Sequence, residues 1–200
     1  MTDFTNPPAD PLPWLQTWLD DARATGLPNP NAMTLATATA DGAPSARIVL
    51  LKSLDERGVT FFTNYRSRKG RELNANPRVA LLFFWDVLER QVRIEGIATR
   101  VGEAESDAYH ASRHRSSQIG AWASAQSEPI ADRDALLAEV ARYEREFDGR
   151  DVPRPPHWGG WRVGLDRIEF WQGRQFRVHD RIVYEPRDTG GGWAITRLCP

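Results

Sequence analysis

The sequence predicts a mainly β protein with flanking helices, in which antiparallel strands form a barrel. Between Met33 and Val101 it holds at least five segments that are rich in β-branched and apolar residues. Turn residues such as Asp41-Gly42 separate most of these segments, so the intervals between strands are short. Strands at such spacing favour an antiparallel barrel over a doubly wound sheet.

The N-terminal region predicts a flexible lead-in followed by one helix. Residues 1–13 contain four prolines, a composition that packs poorly. Apolar residues at helical spacing over residues 15–22 predict an amphipathic helix, which ends at Gly26. We therefore expect a flexible segment over residues 1–13 and a single domain over residues 14–200.

Strand and helix signals then follow one another along the chain. Five strands come first, a helical region covers residues 103–147, and strand signals return from residue 161 onward. We expect the last strands, over residues 158–200, to complete the barrel or its dimer interface, because about forty residues form only a marginal domain alone. The predicted strands are Met33–Ala40, Ser45–Lys52, Val59–Thr63, Arg78–Trp85, Gln91–Val101, Trp161–Gln172, Arg181–Glu185 and Trp193–Leu198.

Charge and composition argue against several functional classes. The 26 basic and 27 acidic residues nearly cancel, which disfavours a protein that binds nucleic acid. The one cysteine, Cys199, cannot form an internal disulfide, and no apolar run is long enough to span a membrane. We therefore predict a soluble, cytoplasmic protein with neither nucleic acid nor membrane as a partner. Only two of the 26 basic residues are lysines, Lys52 and Lys69.

Several common motifs are missing from the sequence. It has no GxxxxGK[ST] phosphate loop, no GxGxxG, no GxSxG and no CxxC. His110 and His114 have the i, i+4 spacing of a helical metal site, but neither an HExxH motif nor an evident third ligand accompanies them. We therefore predict solvent-exposed helix histidines and no metal.

The first candidate site is the basic stretch over residues 66–71, which follows a predicted strand and opens a helix. Its four cations and Ser67 can bind a phosphate group, because free backbone amides and the helix dipole favour an anion at a helix start. Taken alone, the stretch fits an exposed basic loop slightly better.

The second candidate is the set Tyr109, Arg113 and Ser117. At spacings of i, i+4 and i+8 they can share one helical face and offer three hydrogen-bond donors to an anion. An ordinary exposed helix stripe has the same spacing, so the pattern alone does not decide between the two.

The third candidate follows Phe170–Gly173. Alternation along a strand places Arg177, His179 and Arg181 on one face, where two guanidinium groups flank an imidazole. Such a group is costly to bury without an anionic or polar ligand. An edge strand explains the pattern equally well. Two phosphate sites and a polar strand would suit a protein that binds two phosphorylated small molecules.

Eleven short motifs stand in order between residues 47 and 200. They are RIVLLK (47–52), FFTN (61–64), SRKG (67–70), NPRVALLFFW (76–85), ERQVRIEG (89–96), SQIGAW (117–122), QS (126–127), WGGWRV (158–163), IEFWQG (168–173), RVHDR (177–181) and RLCP (197–200). By these motifs the sequence closely resembles the pyridoxine/pyridoxamine 5'-phosphate oxidase family, whose members use FMN. Each motif alone is weak, but eleven in the family's order make the match specific.

The resemblance implies an FMN-binding split β-barrel that forms a homodimer, with FMN in clefts at the subunit interface. By position, the implied FMN contacts are Arg47, Ile48, Val49, Leu50, Leu51, Lys52, Phe62, Thr63, Arg68, Lys69, Gln91, Gln126, Ser127, Trp171 and Arg181. The implied substrate contacts are Lys52, Tyr109, Arg113 and Ser117 at the phosphate, with Arg177, Val178 and His179 at the pyridine ring; Arg177 and His179 are also the implied catalytic residues.

The resemblance also implies a reaction. A hydride passes from C4' of pyridoxine or pyridoxamine 5'-phosphate to the flavin, and O2 then reoxidises the flavin and forms H2O2. The products are pyridoxal 5'-phosphate and, from the amine, ammonia. Two other functions fit the same fold: a related FMN oxidase such as the phenazine-biosynthesis flavoproteins, and a binding protein for flavin or pyridoxal phosphate without enzymatic activity.

Overall fold

The computed structural model describes residues 4–200, in which five α-helices flank a ten-stranded sheet. The helices are α1 (Pro11–Ala24), α2 (Arg68–Ala75), α3 (Glu103–Ala111), α4 (Arg115–Ala123) and α5 (Arg133–Glu146). The strands are β1 (Ala32–Ala38), β2 (Pro44–Leu50), β3 (Ser53–Asp55), β4 (Gly58–Asn64), β5 (Arg78–Trp85), β6 (Arg90–Arg100), β7 (Trp158–Val163), β8 (Arg167–Gln172), β9 (Asp180–Pro186) and β10 (Trp193–Arg197).

The sheet is antiparallel throughout and curls into a half-barrel. Its main path runs β10-β9-β8-β6-β5-β1-β2. The first part of β6 lies between β5 and β8, whereas its end at residues 98–100 pairs with β7, which continues to β4. A long strand that changes partners in this way bends the sheet around the core. These pairings confirm the predicted antiparallel split barrel.

Alternating burial along the strands fills the inside of the half-barrel. In β1, β5 and β6 every second side chain is buried, as the two-residue period of a strand requires. Helix α1 packs onto this apolar face, with the Trp14 ring stacked on Phe170 at a centroid distance of 4.4 Å. The Trp18 ring meets the same Phe170 edge-on at 5.2 Å. Aromatic packing therefore joins the N-terminal helix to a C-terminal strand.

Residues 4–13 pack against the core and enter helix α1, whereas the sequence predicts a flexible segment there. Helix α1 already begins at Pro11. Proline is tolerated there because the first amide groups of a helix have no hydrogen-bond acceptor within the helix, so the missing N–H costs nothing. Asp10 caps the helix by accepting from the Leu12 amide at 3.0 Å. Phe4 is only 4% exposed and packs against Trp14, because its ring completes the core beside α1. Residues 1–3, which the same expectation included, lie outside the described residues.

Two segments predicted as continuous are divided. The helical region 103–147 forms three helices, α3, α4 and α5. The strand predicted over residues 161–172 is interrupted at residues 164–166, where the Gly164 amide donates to the Ile97 carbonyl at 3.0 Å. The interruption lets β7 pair with β4 while β8 pairs with β6, so the late strands extend the same sheet. No helix within residues 4–200 has both the length and the apolar character needed to cross a bilayer.

Candidate functional site

A cavity of about 630 Å³ lies beside β2, β4, α2 and the turn between α3 and α4, within the usual size range of small-molecule sites. Acidic side chains are absent from the described residues that line it, and three of its cations are Lys52, Lys69 and Arg113. The predicted site residues that line it are Ile48, Val49, Leu50, Lys52, Phe62, Thr63, Lys69, Tyr109, Arg113, Ser117 and Gln126.

The start of α2 brings Lys69 into the cavity. Ser67 caps this helix: its hydroxyl accepts from the Gly70 amide at 3.3 Å and donates to the Asn64 carbonyl at 2.7 Å. A Cβ atom on Gly70 would lie 2.3 Å from the Tyr65 carbonyl oxygen, so the tight turn into the helix requires glycine. The predicted helix start in this basic stretch is confirmed.

Lys69 is a buried ammonium group with neutral contacts. Its Nζ atom donates to Thr63 Oγ1 at 3.2 Å and to Gln126 Oε1 at 3.3 Å, and the side chain forms no ion pair within residues 4–200. Burial, and then the charge of Arg47, lower the pKa of Lys69. An anion in the cavity would relieve both effects.

Glu72 lies on the same helix and contacts two arginines. It is 5% exposed; Oε2 accepts from Arg47 Nη2 at 3.0 Å and from the Thr37 hydroxyl at 2.5 Å, and Oε1 accepts from Arg68 Nε at 2.9 Å. Burial alone would raise the pKa of Glu72, but the hydrogen bonds from Thr37, Arg68 and Arg47 outweigh it and lower the pKa. The carboxylate is therefore charged, and both of its oxygens accept hydrogen bonds.

Three aromatic rings form one wall of the cavity. The Phe62 ring stacks on Tyr109 at a centroid distance of 3.9 Å and on Trp158 at 5.5 Å. Two cations lie over these rings: Lys52 Nζ is 5.7 Å from the Tyr109 centroid, and the Arg113 guanidinium carbon is 4.5 Å from the Trp158 centroid. Cation–π contacts of this kind hold a cation in place without neutralising it.

Tyr109, Arg113 and Ser117 do not share one helical face, so that prediction was wrong. Helix α3 ends at Ala111, Arg113 lies in the turn, and Ser117 belongs to α4. All three nevertheless line the cavity. Arg113 Nη1 is buried without a hydrogen-bond partner in the described structure, and burial lowers the pKa of Arg113. A buried, unpaired guanidinium N–H group favours an anionic ligand.

His110 is buried, which corrects the expectation of exposed helix histidines. It is 1% exposed on α3, and its ring centroid lies 5.4 Å from that of Trp158. Burial, followed by the charges of Arg113 and Arg154, lowers the pKa of His110 to about 4. His114 instead caps α4, so the two histidines are not on one helix.

A second set of predicted residues forms a row across three strands. Gln91 on β6 lies opposite Trp171 on β8, and Trp171 lies opposite Arg181 on β9, so the three share one face of the sheet. Arg181 Nε donates to Glu169 Oε1 at 2.8 Å, and Glu169 is 2% exposed. We call Gln91, Trp171 and Arg181 the sheet row.

Arg177, His179 and Arg181 do not alternate along a strand, which corrects another expectation. β9 begins only at Asp180, after a loop in which Phe176 and Arg177 have φ values of 59° and 63°. This left-handed backbone breaks the alternation that the sequence suggested. His179 instead packs against Trp171 at a centroid distance of 4.7 Å, beside the sheet row.

The cavity and the sheet row lie in different parts of one chain. In the sheet order β8 is four strands from β2, which corresponds to about 19 Å measured along the curled sheet at about 4.8 Å per strand. The predicted site residues that do not line the cavity are Arg47, Leu51, Arg68, Gln91, Ser127, Trp171, Arg177, Val178, His179 and Arg181. Arg47 and Arg68 still join the cavity's surroundings through Glu72 on α2.

Some cavity residues escaped the sequence-based assignment. Trp158 is the clearest, because it supports both Phe62 and Arg113. It lies in the WGGWRV motif, so the motif was visible, but the contact with Arg113 depends on folding residues 45 positions apart together. The other such residues are Asn64, His114, Gly120, Ala121 and Ser124.

Comparison with known protein families gives two matches that together cover most of the chain. Residues 19–145 match the family model described as pyridoxamine 5'-phosphate oxidase. Residues 158–200 match the model described as the C-terminal dimerisation region of pyridoxine 5'-phosphate oxidase. The second match supports a homodimer and includes the sheet row residues Trp171 and Arg181.

Curated relatives carry the same family name. The pyridoxine/pyridoxamine 5'-phosphate oxidase of Rubrobacter xylanophilus is 60% identical over 191 residues, covering 96% of this chain and 87% of the relative. The protein of the same name from Cupriavidus metallidurans is 58% identical over 191 residues, covering 96% of this chain and 89% of the relative.

Solved structures share the fold. PhzG from Burkholderia lata 383, in complex with tetrahydrophenazine-1-carboxylic acid, has a TM-score of 0.93 and 36% identity, covering 100% of this chain and 97% of that one. A pyridoxamine 5'-phosphate oxidase-related, FMN binding protein from Nostoc punctiforme has a TM-score of 0.75 and 16% identity, covering 94% of this chain and 96% of that one, and shows the fold alone. By its family matches and its relatives, this chain belongs to the pyridoxamine 5'-phosphate oxidase family.

Proposed function

We propose that this protein oxidises pyridoxine 5'-phosphate and pyridoxamine 5'-phosphate to pyridoxal 5'-phosphate with FMN and O2. The reaction releases H2O2 and, from the amine, ammonia. The observation that carries the proposal is a cavity with two separate cationic positions, Lys69 on α2 and Arg113 in the α3–α4 turn, and no lining carboxylate in the described residues. Two phosphate groups, one from the flavin and one from the substrate, match those two positions. The single cysteine, Cys199, supports a cytoplasmic location.

The residues present fit FMN. Lys69 is buried with only neutral contacts, and the capped start of α2 adds backbone amides that favour an anion. Lys69, Arg68, Arg47, Gln126 and Thr63 would hold the flavin phosphate, with the β2 backbone beside the ring. When bound, FMN supplies the hydride acceptor of the reaction.

The substrate phosphate fits the other position. Arg113, held over Trp158 with an unpaired buried N–H group, would bind it together with Lys52, Tyr109 and Ser117. Anchoring the phosphate would fix the rest of the substrate in the cavity. The reacting carbon would then be held in position for the reaction, so that no separate encounter between the reactants is needed. These side chains therefore act through binding and orientation.

The ring-facing residues would come from the partner subunit. Arg177 and His179 do not line the cavity of their own chain, and the match to a dimerisation region covers them. Ile48 on the cavity side and Phe84, which lies opposite Gln91, are 62% and 59% exposed, as expected of an apolar surface that a second copy covers. A twofold dimer would bring each cavity against the partner's sheet row and loop.

The direct test is to purify the protein, load it with FMN and add pyridoxine 5'-phosphate without oxygen. We expect the yellow flavin absorbance to bleach and to return when air is admitted. Flavin that binds but does not bleach with either phosphorylated substrate would reject the oxidase and favour a binding protein. Failure to bind FMN at all would reject the whole proposal.

The similarity to PhzG supports a second candidate, a flavin oxidase that acts on a compound such as the tetrahydrophenazine-1-carboxylic acid bound to PhzG. The two candidates differ at the phosphate position, because such an acid carries no phosphate ester for Arg113 and Lys52 to bind. Bleaching by tetrahydrophenazine-1-carboxylic acid but not by pyridoxine 5'-phosphate would favour the second candidate. The cationic position around Arg113 is our reason for preferring the first.

A further inference from the structure

Glu72 is a buried carboxylate to which the motifs and the resemblance assign no role. It is 5% exposed, and charged side chains are rarely buried to this extent unless they are paired. Its partners come from three elements: Thr37 from β1, Arg47 from β2 and Arg68 from α2. Two of these partners, Arg47 and Arg68, are residues expected at the flavin phosphate.

The hydrogen bonds of Arg47 make it a support for Glu72. Its Nη1 donates to the Leu35 carbonyl at 3.1 Å and to the Thr37 hydroxyl at 2.5 Å, while Nη2 donates to Ser45 Oγ at 2.5 Å and to Glu72. The side chain is therefore fixed from several sides. Arg47 and Thr37 together hold the Glu72 carboxylate in one orientation.

The hydrogen bonds of Arg68 are different. Its Nε donates to Glu72 Oε1 at 2.9 Å, and its Nη1 and Nη2 atoms have no partner within the described residues. The side chain is 61% exposed, so without Glu72 the guanidinium would be free to rotate. With Nε bound to Glu72, the outer edge of the guanidinium, formed by Nη1 and Nη2, has no partner within the described residues and can bind a phosphate through two hydrogen bonds.

The charges also agree with a phosphate ester. Arg47, Arg68 and Lys69 contribute three positive charges and Glu72 one negative charge, which leaves two. A phosphate monoester carries about −1.5 to −2 at neutral pH. Glu72 thus lets three cations gather at one place without a large excess of positive charge.

We propose that Glu72 is a positioning residue that orients the Arg68 guanidinium toward the phosphate of the flavin, and is itself held by Arg47 and Thr37. This inference rests on the proposed function, because it takes FMN as the ligand. It goes further by predicting that a side chain that does not touch the flavin determines how strongly the protein prefers FMN to riboflavin, which lacks the phosphate.

The test compares FMN with riboflavin binding to the flavin-free, full-length protein, followed by quenching of flavin fluorescence. For Glu72→Gln we expect the Kd for FMN to rise about tenfold or more, as for the loss of a hydrogen bond to a charged group, with the riboflavin Kd changed less than about twofold. Glu139→Gln is the matched control, because it removes a carboxylate from the exposed pair with Arg142 on α5. It should leave both Kd values unchanged.

A double-substitution cycle tests whether Glu72 acts through Arg68. In an Arg68→Gln background, Glu72→Gln should change the FMN Kd by less than about twofold, because the group to be oriented is already gone. Arg68→Lys is a second, independent test, because it changes an exposed residue and not a buried one. Lysine keeps the charge but lacks the rigid planar fork that would bind Glu72 through one nitrogen and a phosphate through two others, so FMN binding should weaken selectively.

The outcomes separate this inference from the proposed function. Wild-type protein that does not prefer FMN to riboflavin would reject the proposed function itself. If wild type prefers FMN, three results overturn the inference alone: unchanged or tighter FMN binding in Glu72→Gln, equal weakening of both flavins, or full FMN affinity in Arg68→Lys. Equal weakening would show a purely structural role.

Discussion

Lys69 and Arg177 are both expected at the bound ligands, yet the protein holds them in opposite ways. Lys69 is buried on a capped helix, where hydroxyl and amide groups fix its ammonium group. Arg177 is exposed in a loop with left-handed backbone, beside Phe176, which is 91% exposed. Contacts within one chain thus hold Lys69 in the cavity, whereas the loop before β9 has few contacts of its own.

The difference teaches which part of the site depends on a second subunit. Left-handed backbone at residues other than glycine costs free energy and persists where the surroundings or a ligand compensate. The loop's own chain covers little of it, so its compensation is expected from a dimer partner or a bound substrate. On the proposed function, the cavity would anchor the phosphates with residues of one chain, and the loop would contribute only after the dimer forms.

The sharpest test of this division is complementation between subunits. We expect Lys69→Ala and Arg177→Ala homodimers each to lose most activity, since each damages both sites. Heterodimers isolated with two different tags should recover about half of wild-type activity, because one of their two sites is intact.

A matched pair provides the control for complementation. Lys69→Ala combined with Arg113→Ala places one defect in each cavity, so those heterodimers should stay inactive. Absence of recovery in the first pair would mean that the cavity and the loop of one chain serve the same site. Recovery in the control would mean that Lys69 and Arg113 of one chain serve different sites.

Substitutions in the loop should affect turnover most. Arg177→Ala and His179→Ala should each lower kcat by about 100-fold, because misplacing a bound substrate by about 1 Å costs that much. The FMN Kd should stay within about twofold, since neither residue is expected at the flavin. Steady-state kinetics on FMN-saturated protein measures the first, and fluorescence titration the second. Near-normal kcat in both variants would remove the loop from the site.

Substitution in the cavity should affect substrate binding instead. Arg113→Ala should raise the KM for pyridoxine 5'-phosphate about 10- to 100-fold, through loss of hydrogen bonds to a charged phosphate, while flavin stays bound. Ser112→Ala, one residue away in the same turn, is the control for general damage. An Arg113→Ala enzyme with normal KM would place the substrate phosphate elsewhere.

The smallest effect concerns stability and pH. The folded-state pKa of His110 is about 4 against an ordinary 6.5, so the unfolded chain binds the extra proton between these values. His110 therefore lowers stability as pH falls from 6.5 to 4, by on the order of 3 kcal/mol. His110→Phe should lose less of its free energy of unfolding between pH 7 and pH 5 than wild type, as measured by urea denaturation. Identical losses would show that other groups dominate.

Much of the fold followed from local patterns, and its exceptions have physical causes. Runs of β-branched and apolar residues and the Asp41-Gly42 turn correctly indicated strands β1, β2, β4, β5 and β6, whereas the short β3 was not predicted. The break between α3 and α4 was missed because residues 112–114 include neither glycine nor proline. The left-handed backbone at Phe176 could not be predicted, because aromatic residues rarely adopt this conformation and the residue type therefore gives no signal for it.

The site was predictable as a set of residues but not as a geometry. Short motifs indicated Lys69, Arg113 and Trp171, yet not that the first two line one cavity while the third lies elsewhere on the sheet. Glu72 and Trp158 escaped assignment because their importance comes from contacts between distant segments. Thr37 lies 35 positions from Glu72, and no local pattern records such a contact.

Contacts between the beginning and end of the sequence have a consequence for how the chain acquires its structure. The Trp14 ring of α1 stacks on Phe170. The Tyr184 hydroxyl donates to the Pro8 carbonyl, 176 positions away, and Arg197 donates to the Phe4 carbonyl. A ribosome releases the early segment long before its partners exist, at about 5–20 residues per second. The aromatic face of α1 is therefore exposed to solvent until residue 170 has been synthesised. A chain that ends before residue 170 keeps this face exposed, where it can aggregate or bind a chaperone.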